Sequence, residues 1–164
     1  ARPRVCSGDL LAWSHRRCRS WYDVQVMAVR MFTMSEYCHV GVARVSDGRA
    51  MVYEAVGAGV RLFPLSRALP FYHIPLGLAW TEDAEEFVWT HYGAPYSKWQ
   101  AIAAHLGRLA PEKDDTWQCA EIAQALLRRL GCALECKPTP TELVRKAMAE
   151  KNAPAWLIEV DDAA

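Results

Sequence analysis

The sequence predicts an α+β fold in one domain spanning residues 1–164, and three observations carry that reading. Apolar residues alternate with period two in the first half of the chain, and from residue 81 the period lengthens to about 3.6. No internal repeat, Gly/Ser linker or low-complexity tract divides the chain. Strands grouped first and helices grouped afterwards point to an antiparallel sheet packed against helices, not to an alternating parallel fold.

Residues 7–13, SGDLLAW, read as a turn feeding a short strand. In residues 21–33, WYDVQVMAVRMFT, helical spacing of Trp21, Val24, Ala28, Met31 and Phe32 predicts an amphipathic helix. HVGVARV (39–45) and AMVYEAV (50–56) flank SDGR, where an Asp-Gly pair signals a tight hairpin. GVRLFPL (59–65) and FYHIPL (71–76) continue as strands. Pro64 and Pro75 direct them to edges or strand ends, because proline donates no ladder hydrogen bond. TEDAEEFVWTHY (81–92) opens with threonine and acids, as a helix N-terminus prefers, and stops before Gly93 and Pro95. SKWQAIAAHLGRL (97–109) stripes Trp99, Ile102, Ala103 and Leu106 along a second helix. DTWQCAEIAQALLRRLG (115–131) aligns Cys119, Ala123, Leu126, Leu127 and Leu130 and closes at Gly131, a natural cap. TPTELVRKAMAEK (139–151) forms a last helix behind Pro138 and Pro140.

Lys plus Arg equals Asp plus Glu at 19 each, so no charge imbalance marks nucleic acid or an anionic membrane as a partner. The basic cluster HRRCR, residues 15–19, reads as a solvated face. LPFYHIPLGLAW is the longest apolar stretch, and it falls well short of the ~20 residues of a membrane span. Six cysteines, at 6, 18, 38, 119, 132 and 136, are scattered through a chain large enough to fold on its core. Reduced thiols in a cytoplasmic setting are therefore expected. The chain starts at Ala1 without a methionine, which leaves room for a removed leader. His15 with Cys18 and Cys132 with Cys136 lack a second tight pair at zinc-ribbon spacing, so no metal site is expected.

Cys38 and His39 are neighbours in SEYCHVGVARV, yet successive strand residues point to opposite faces. A strand through His39 thus turns Cys38 away as a packing residue. Closing the hairpin over Asp47 and Gly48 sets Gly41 opposite Glu54 and His39 opposite Val56. His39 and Glu54 then share a face as diagonal neighbours, with β-carbons ~7–8 Å apart, a gap that two long polar side chains can close over Gly41. A one-residue slip would turn Glu54 to the other face. A carboxylate in that position holds the imidazole in one tautomer and stabilises its protonated form.

The rest of that face, Gly41, Ala43, Val45, Ala50, Val52 and Val56, is mostly small. This predicts that the helix beginning near Thr116 lands on it, with Cys119 in the first turn. There a thiol meets the positive helix end and unpaired N–H groups, which favour the thiolate and can serve as an oxyanion hole. Cys119, His39 and Glu54 become candidates for nucleophile, base and orienting acid. Each has a plainer reading taken singly: a packing cysteine, a core histidine, a solvent-facing glutamate. Their mutual geometry is what selects them. His73 stands as an alternative base or a cleft residue, and Trp117 and Trp99 are placed near the cleft.

The run SEYCHVGVARVSDGRAMVYEAVGAGVRLFPLS together with TWQCAEIAQALL resembles the circularly permuted NlpC-type papain-like cysteine hydrolases, with the YiiX/YaeF-like branch the nearest match. The matching elements are Gly8-Asp9, Ser35 to Gly41, Tyr53 to Ala55, the Gly-Val-Arg strand and Cys119 to Glu121, covering roughly residues 7–130. The resemblance implies a papain-like permuted fold with the nucleophile at a helix N-terminus. It also implies His39 as base, Glu54 as orienting acid and Cys119 as nucleophile. Histidine ahead of cysteine is the order of the permuted class. Cys38 stands where serine is frequent, and GAPYSKW, with Tyr96, resembles the Gly-x-x-Tyr element that lines the cleft. Tyr96, Trp117 and Tyr37 are the expected substrate-binding residues. The last thirty residues have no counterpart in the pattern.

The implied activity is hydrolysis of an amide, peptide or peptidoglycan-type, through an acyl-enzyme and with no metal or organic cofactor. Two alternatives stand beside it. One is lipid acyl hydrolysis or acyl transfer on the same fold, and the other is a binding module without activity.

Overall fold

The computed structural model describes residues 3–14, 36–95 and 118–159. The expected helices at 21–33 and 97–109 and the basic cluster at 15–19 lie outside these residues. Strands β1 (Leu10–Trp13), β2 (His39–Ser46), β3 (Arg49–Val56) and β4 (Gly59–Pro64) are followed by a 3-10 turn, Leu65–Arg67, and β5 (Phe71–Ile74). Helices α1 (Glu82–His91), α2 (Cys119–Arg129) and α3 (Pro140–Lys151) come next, and β6 (Trp156–Ile158) closes the order. The strands form one antiparallel sheet in the order β4-β3-β2-β1-β5-β6. The α+β expectation holds at this level.

The Asp-Gly turn forms as the sequence predicts. Asp47 and Gly48 both take positive φ, 51° and 71°, the requirement of a two-residue hairpin whose twist matches its strands. The register that follows runs from Ser46 opposite Arg49 to Val42 opposite Tyr53, the one expected. Gly41 is where β3 closes on β2. A β-carbon there would lie 2.4 Å from Val52 Cγ2 and 2.9 Å from the Tyr53 carbonyl oxygen. Only glycine admits that approach.

The helix ends follow local chemistry. The Thr81 side chain accepts from the Ala84 N–H at 3.1 Å to cap α1, and Thr139 accepts from Glu142 at 3.4 Å ahead of Pro140 to cap α3. Gly131 ends α2 with φ 81°, and Cys132 N–H returns to the Leu127 carbonyl at 2.9 Å. Pro64 ends the edge strand β4 and Pro75 lies just past β5, as expected of residues without an N–H.

Among the described residues, α1, α2 and α3 pack on one face of the sheet. Ile122, Ala123, Leu126 and Leu127 of α2 are buried with Val40, Val42, Tyr53 and Ala55 and with residues of α1 and α3. This corrects the expected landing face of α2. The small face, Ala43 and Val52, lies beneath Leu11, Leu65, Phe71 and Ile158 in a second, smaller core that contains no residue of the helices. Burial accounts for the choice: at roughly 25 cal/mol per Å², covering valines and a tyrosine returns more than covering glycine and alanine. The chain after Pro138 also has a definite place, since α3 joins the main core and β6 adds an edge strand beside β5.

Candidate active site

His39 is the first residue of β2, Glu54 stands near the end of β3, and Cys119 is the first residue of α2. All three elements therefore reach the same end of the sheet. The β2–β3 ladder stops at Val42–Tyr53, and ahead of it His39 pairs only with Trp13 of β1. His39 Nε2 lies 2.6 Å from Glu54 Oε2. The Cys119 side chain stands within hydrogen-bonding reach of the same ring. With Nε2 occupied by the carboxylate, Nδ1 is the nitrogen left for the thiol.

The electrostatics follow from this sandwich. Burial disfavours the charged imidazole, but the hydrogen bonds and charges of Cys119 and Glu54 outweigh it and raise the His39 pKa to about 10. Burial likewise pushes Glu54 upward, and the His39 and Arg61 contacts overcome it, leaving the carboxyl below its ordinary value. The Glu54 side chain is 5% exposed and His39 23%, so the acid is sealed while the base keeps an opening to solvent.

That opening is a cleft of about 290 Å³ lined by Trp13, Cys38, His39, Glu54, Arg61, Phe63 and Ala68, together with Ala55, Val56 and Gly57. Trp13 packs against the imidazole, ring centroids 5.2 Å apart, and its Nε1 donates to the Ala68 carbonyl at 2.7 Å. Arg61 directs Nε and Nη2 at Glu54 Oε1, at 2.9 and 2.8 Å, with its guanidinium 4.2 Å from the Phe63 ring centroid. The approach to His39 is anchored from α3, where Thr141 Oγ1 accepts the N–H groups of Glu36 and Tyr37 at 3.1 and 3.0 Å.

The structure brings Cys119, His39 and Glu54 together. Tyr37, expected at the substrate, is instead buried in the main core edge-on to Tyr72, because the Thr141 tether turns its side chain inward, away from the cleft wall. Tyr96, Trp117 and Trp99 lie outside the described residues. Cys38 contributes to the cleft wall, contrary to the expectation that it faces away. It precedes the first strand residue, where alternation does not yet govern direction, and its Sγ points to the Trp13 carbonyl at 3.3 Å. His73 is fully buried and belongs to a separate hydrogen-bonded pair, with Nε2 2.8 Å from Asp9 Oδ2, while Asp9 Oδ1 accepts the Leu76 N–H.

Arg61 and Trp13 were not singled out as site residues from the sequence. A signal existed for Arg61, because counting pairs outward from the tight turn after Val56 sets it opposite Glu54, as observed. None existed for Trp13, whose pairing with His39 joins strands far apart in the chain.

Fold and site together define an α+β protein with an antiparallel sheet, helices on one face and a cysteine–histidine–carboxylate cluster where a helix N-terminus meets the sheet. No family model matches the chain, and no curated protein matches it. Among solved structures, the chain is similar to the metalloprotein YiiX from Escherichia coli O157:H7, described also as DUF1105. The TM-score is 0.56 at 18% identity, covering 97% of this chain and 93% of that one. The likeness is one of fold.

Proposed function

We propose that this chain is a thiol hydrolase of the circularly permuted, NlpC-type papain-like kind, built as one domain. The observation that carries the reading is the imidazole of His39 hydrogen-bonded to Glu54 and within reach of the thiol of Cys119, the first residue of a helix. In this mechanism the thiolate of Cys119 attacks an amide carbonyl carbon and an S–C bond forms. The oxyanion is met by first-turn N–H groups, which have no partner within the helix. His39 delivers its proton to the leaving nitrogen as the C–N bond breaks. A water, deprotonated by the same imidazole, then cleaves the thioester and restores the thiol. Glu54 holds the ring throughout and balances its charge.

The solved YiiX structure is described as a metalloprotein, and the cluster here fits a metal poorly. Glu54 Oε2 and His39 Nε2 are bonded to each other, and Glu54 Oε1 faces the Arg61 cation. No step is routed through a metal.

A second reading has its own support in the cleft. Trp13, Phe63, Val56 and Ala68 make much of the lining apolar, which suits the acyl chain of a lipid ester or thioester as well as an apolar side chain of a peptide. Both readings use the same residues. A panel of peptide amides, cell-wall peptides and fatty acyl esters, run on wild type beside Cys119→Ala, separates them. Turnover of one class by wild type and of none by Cys119→Ala is the expected result. Reaction of Cys119 with iodoacetamide at about pH 6 should be fast and dependent on His39. If it is no faster than that of Cys132, the hydrolase reading fails and a binding module remains.

A further inference from the structure

The reading above leaves a charge imbalance. On the hydrolase reading, Cys119 acts as a thiolate and Glu54 as a carboxylate beside a single imidazolium, which sets two anions against one cation in a mostly buried cluster. Burial opposes an uncompensated charge. Among the described residues, the charged and titratable groups around this cluster are few. Cys38 precedes His39 and points at the Trp13 carbonyl, Glu121 in the first turn of α2 turns back to the Gln118 N–H at 3.5 Å, and Arg61 reaches across from β4. Arg67 lies beyond, over the Phe63 ring at 5.6 Å.

We infer that Arg61 is a positioning residue for this site, the second cation that lets Glu54 remain a carboxylate while Cys119 is a thiolate. This rests on the hydrolase reading and adds a member to its cluster. The geometry is specific. Arg61 stands directly opposite Glu54 in the β3–β4 ladder and directs two N–H groups at Oε1, the oxygen that His39 does not use. A cation–π contact with Phe63, 4.2 Å from guanidinium carbon to ring centroid, helps hold the fork in place before substrate arrives. With Arg61 in place the four charges cancel. Without it, the state in which thiol and carboxylate are both ionised carries one net negative charge out of water. Arg61 acts through Glu54, the group at which its N–H donors are directed.

The test follows the rate of Cys119 alkylation by iodoacetamide against pH, with the modified cysteine assigned by peptide mass spectrometry. The proteins are wild type, His39→Ala, Arg61→Gln, Arg61→Lys and Arg67→Gln. On the hydrolase reading the wild-type rate should stay fast to low pH, and His39→Ala should abolish it. Arg61→Gln should move the acid limb up by about one pH unit, the scale on which a neighbouring opposite charge acts. Arg61→Lys should recover at least half of the displacement, because it keeps the charge and loses only the fork. Arg67→Gln, which removes a cation from the same Phe63 ring without touching Glu54, should leave the limb where it is. An unmoved limb in Arg61→Gln, with wild type still fast and His39-dependent, overturns this inference and leaves the hydrolase reading intact. An equal displacement in Arg67→Gln also overturns it, since a diffuse field would then suffice. A slow wild-type Cys119 defeats the hydrolase reading itself. Arg61 is 40% exposed on an edge strand, and equal melting temperatures for wild type and Arg61→Lys show that the comparison is made on folded protein.

Discussion

His39 Nε2 and Glu54 Oε2 stand 2.6 Å apart across two strands whose register is set by a turn at Asp47-Gly48. The contact joins residues fifteen positions apart, beside Gly41, where an added β-carbon would lie 3.3 Å from Glu54 Cβ. Replacing Glu54 by Gln should lower kcat/KM by about 10³-fold, since the amide cannot balance the imidazolium and can present its NH₂ to the ring. Substrate KM should change little. Steady-state kinetics on whichever substrate the panel identifies decides it, and a loss confined to KM would show Glu54 to be a binding group.

The same pair makes stability depend on pH. His39 in the folded protein keeps its proton to about pH 10, against 6.5 ordinarily, so its contribution is complete below about 6.5 and lost as the pH rises through 10. Glu54, held below 4.5, contributes above that value and loses its effect as the pH falls through its lowered folded one. Thermal melts should therefore show Tm falling between about pH 6.5 and 10, and falling less in Glu54→Gln. Parallel profiles for the two proteins would mean that the contact is not formed in solution.

Gly41→Ala tests the close approach of β3. The added methyl would meet Val52 Cγ2 at 2.4 Å and a backbone carbonyl at 2.9 Å, and the carbonyl cannot swing aside as a side-chain tip can. A loss of about 1–3 kcal/mol is expected from overpacking, measured by chemical denaturation. Because the strain falls beside Glu54, activity should drop further than stability alone explains. A neutral substitution would show that the strands have room to part.

Cys38→Ser should leave activity within about twofold of wild type, because the hydroxyl keeps a donor toward the Trp13 carbonyl and the side chain is no larger. Cys119→Ser should abolish thiol chemistry. Activity lost in the first and kept in the second would exchange the roles of the two cysteines.

The legible part of the site was the part that one local turn controls. Asp-Gly places Glu54 on the face of His39 with no knowledge of the rest of the fold. Arg61 was readable by the same means around the next turn. Trp13 was not, since β1 reaches β2 only after the intervening chain has folded. The landing face of α2 was misread because small residues suggest close approach, whereas the larger apolar area of Val40, Val42 and Tyr53 decides where helices bury their stripes. Tyr37, expected at the substrate, is buried instead, and no local pattern shows that its backbone N–H is held by Thr141, 104 residues further along. β6, three residues behind Pro154, is too short to show a period.

The Thr141 tether also bears on timing. It holds Glu36 and Tyr37 from 105 and 104 residues further along the chain, and so fixes the stretch that leads into His39. A ribosome makes His39 early, Cys119 later and Thr141 later still. A nascent chain that already carries thiol and imidazole therefore lacks the anchor that seats one against the other. On the hydrolase reading, the cysteine stays an ordinary thiol until α3 has emerged and docked. A fragment ending before residue 139 should hold all three reactive side chains and alkylate no faster than free cysteine.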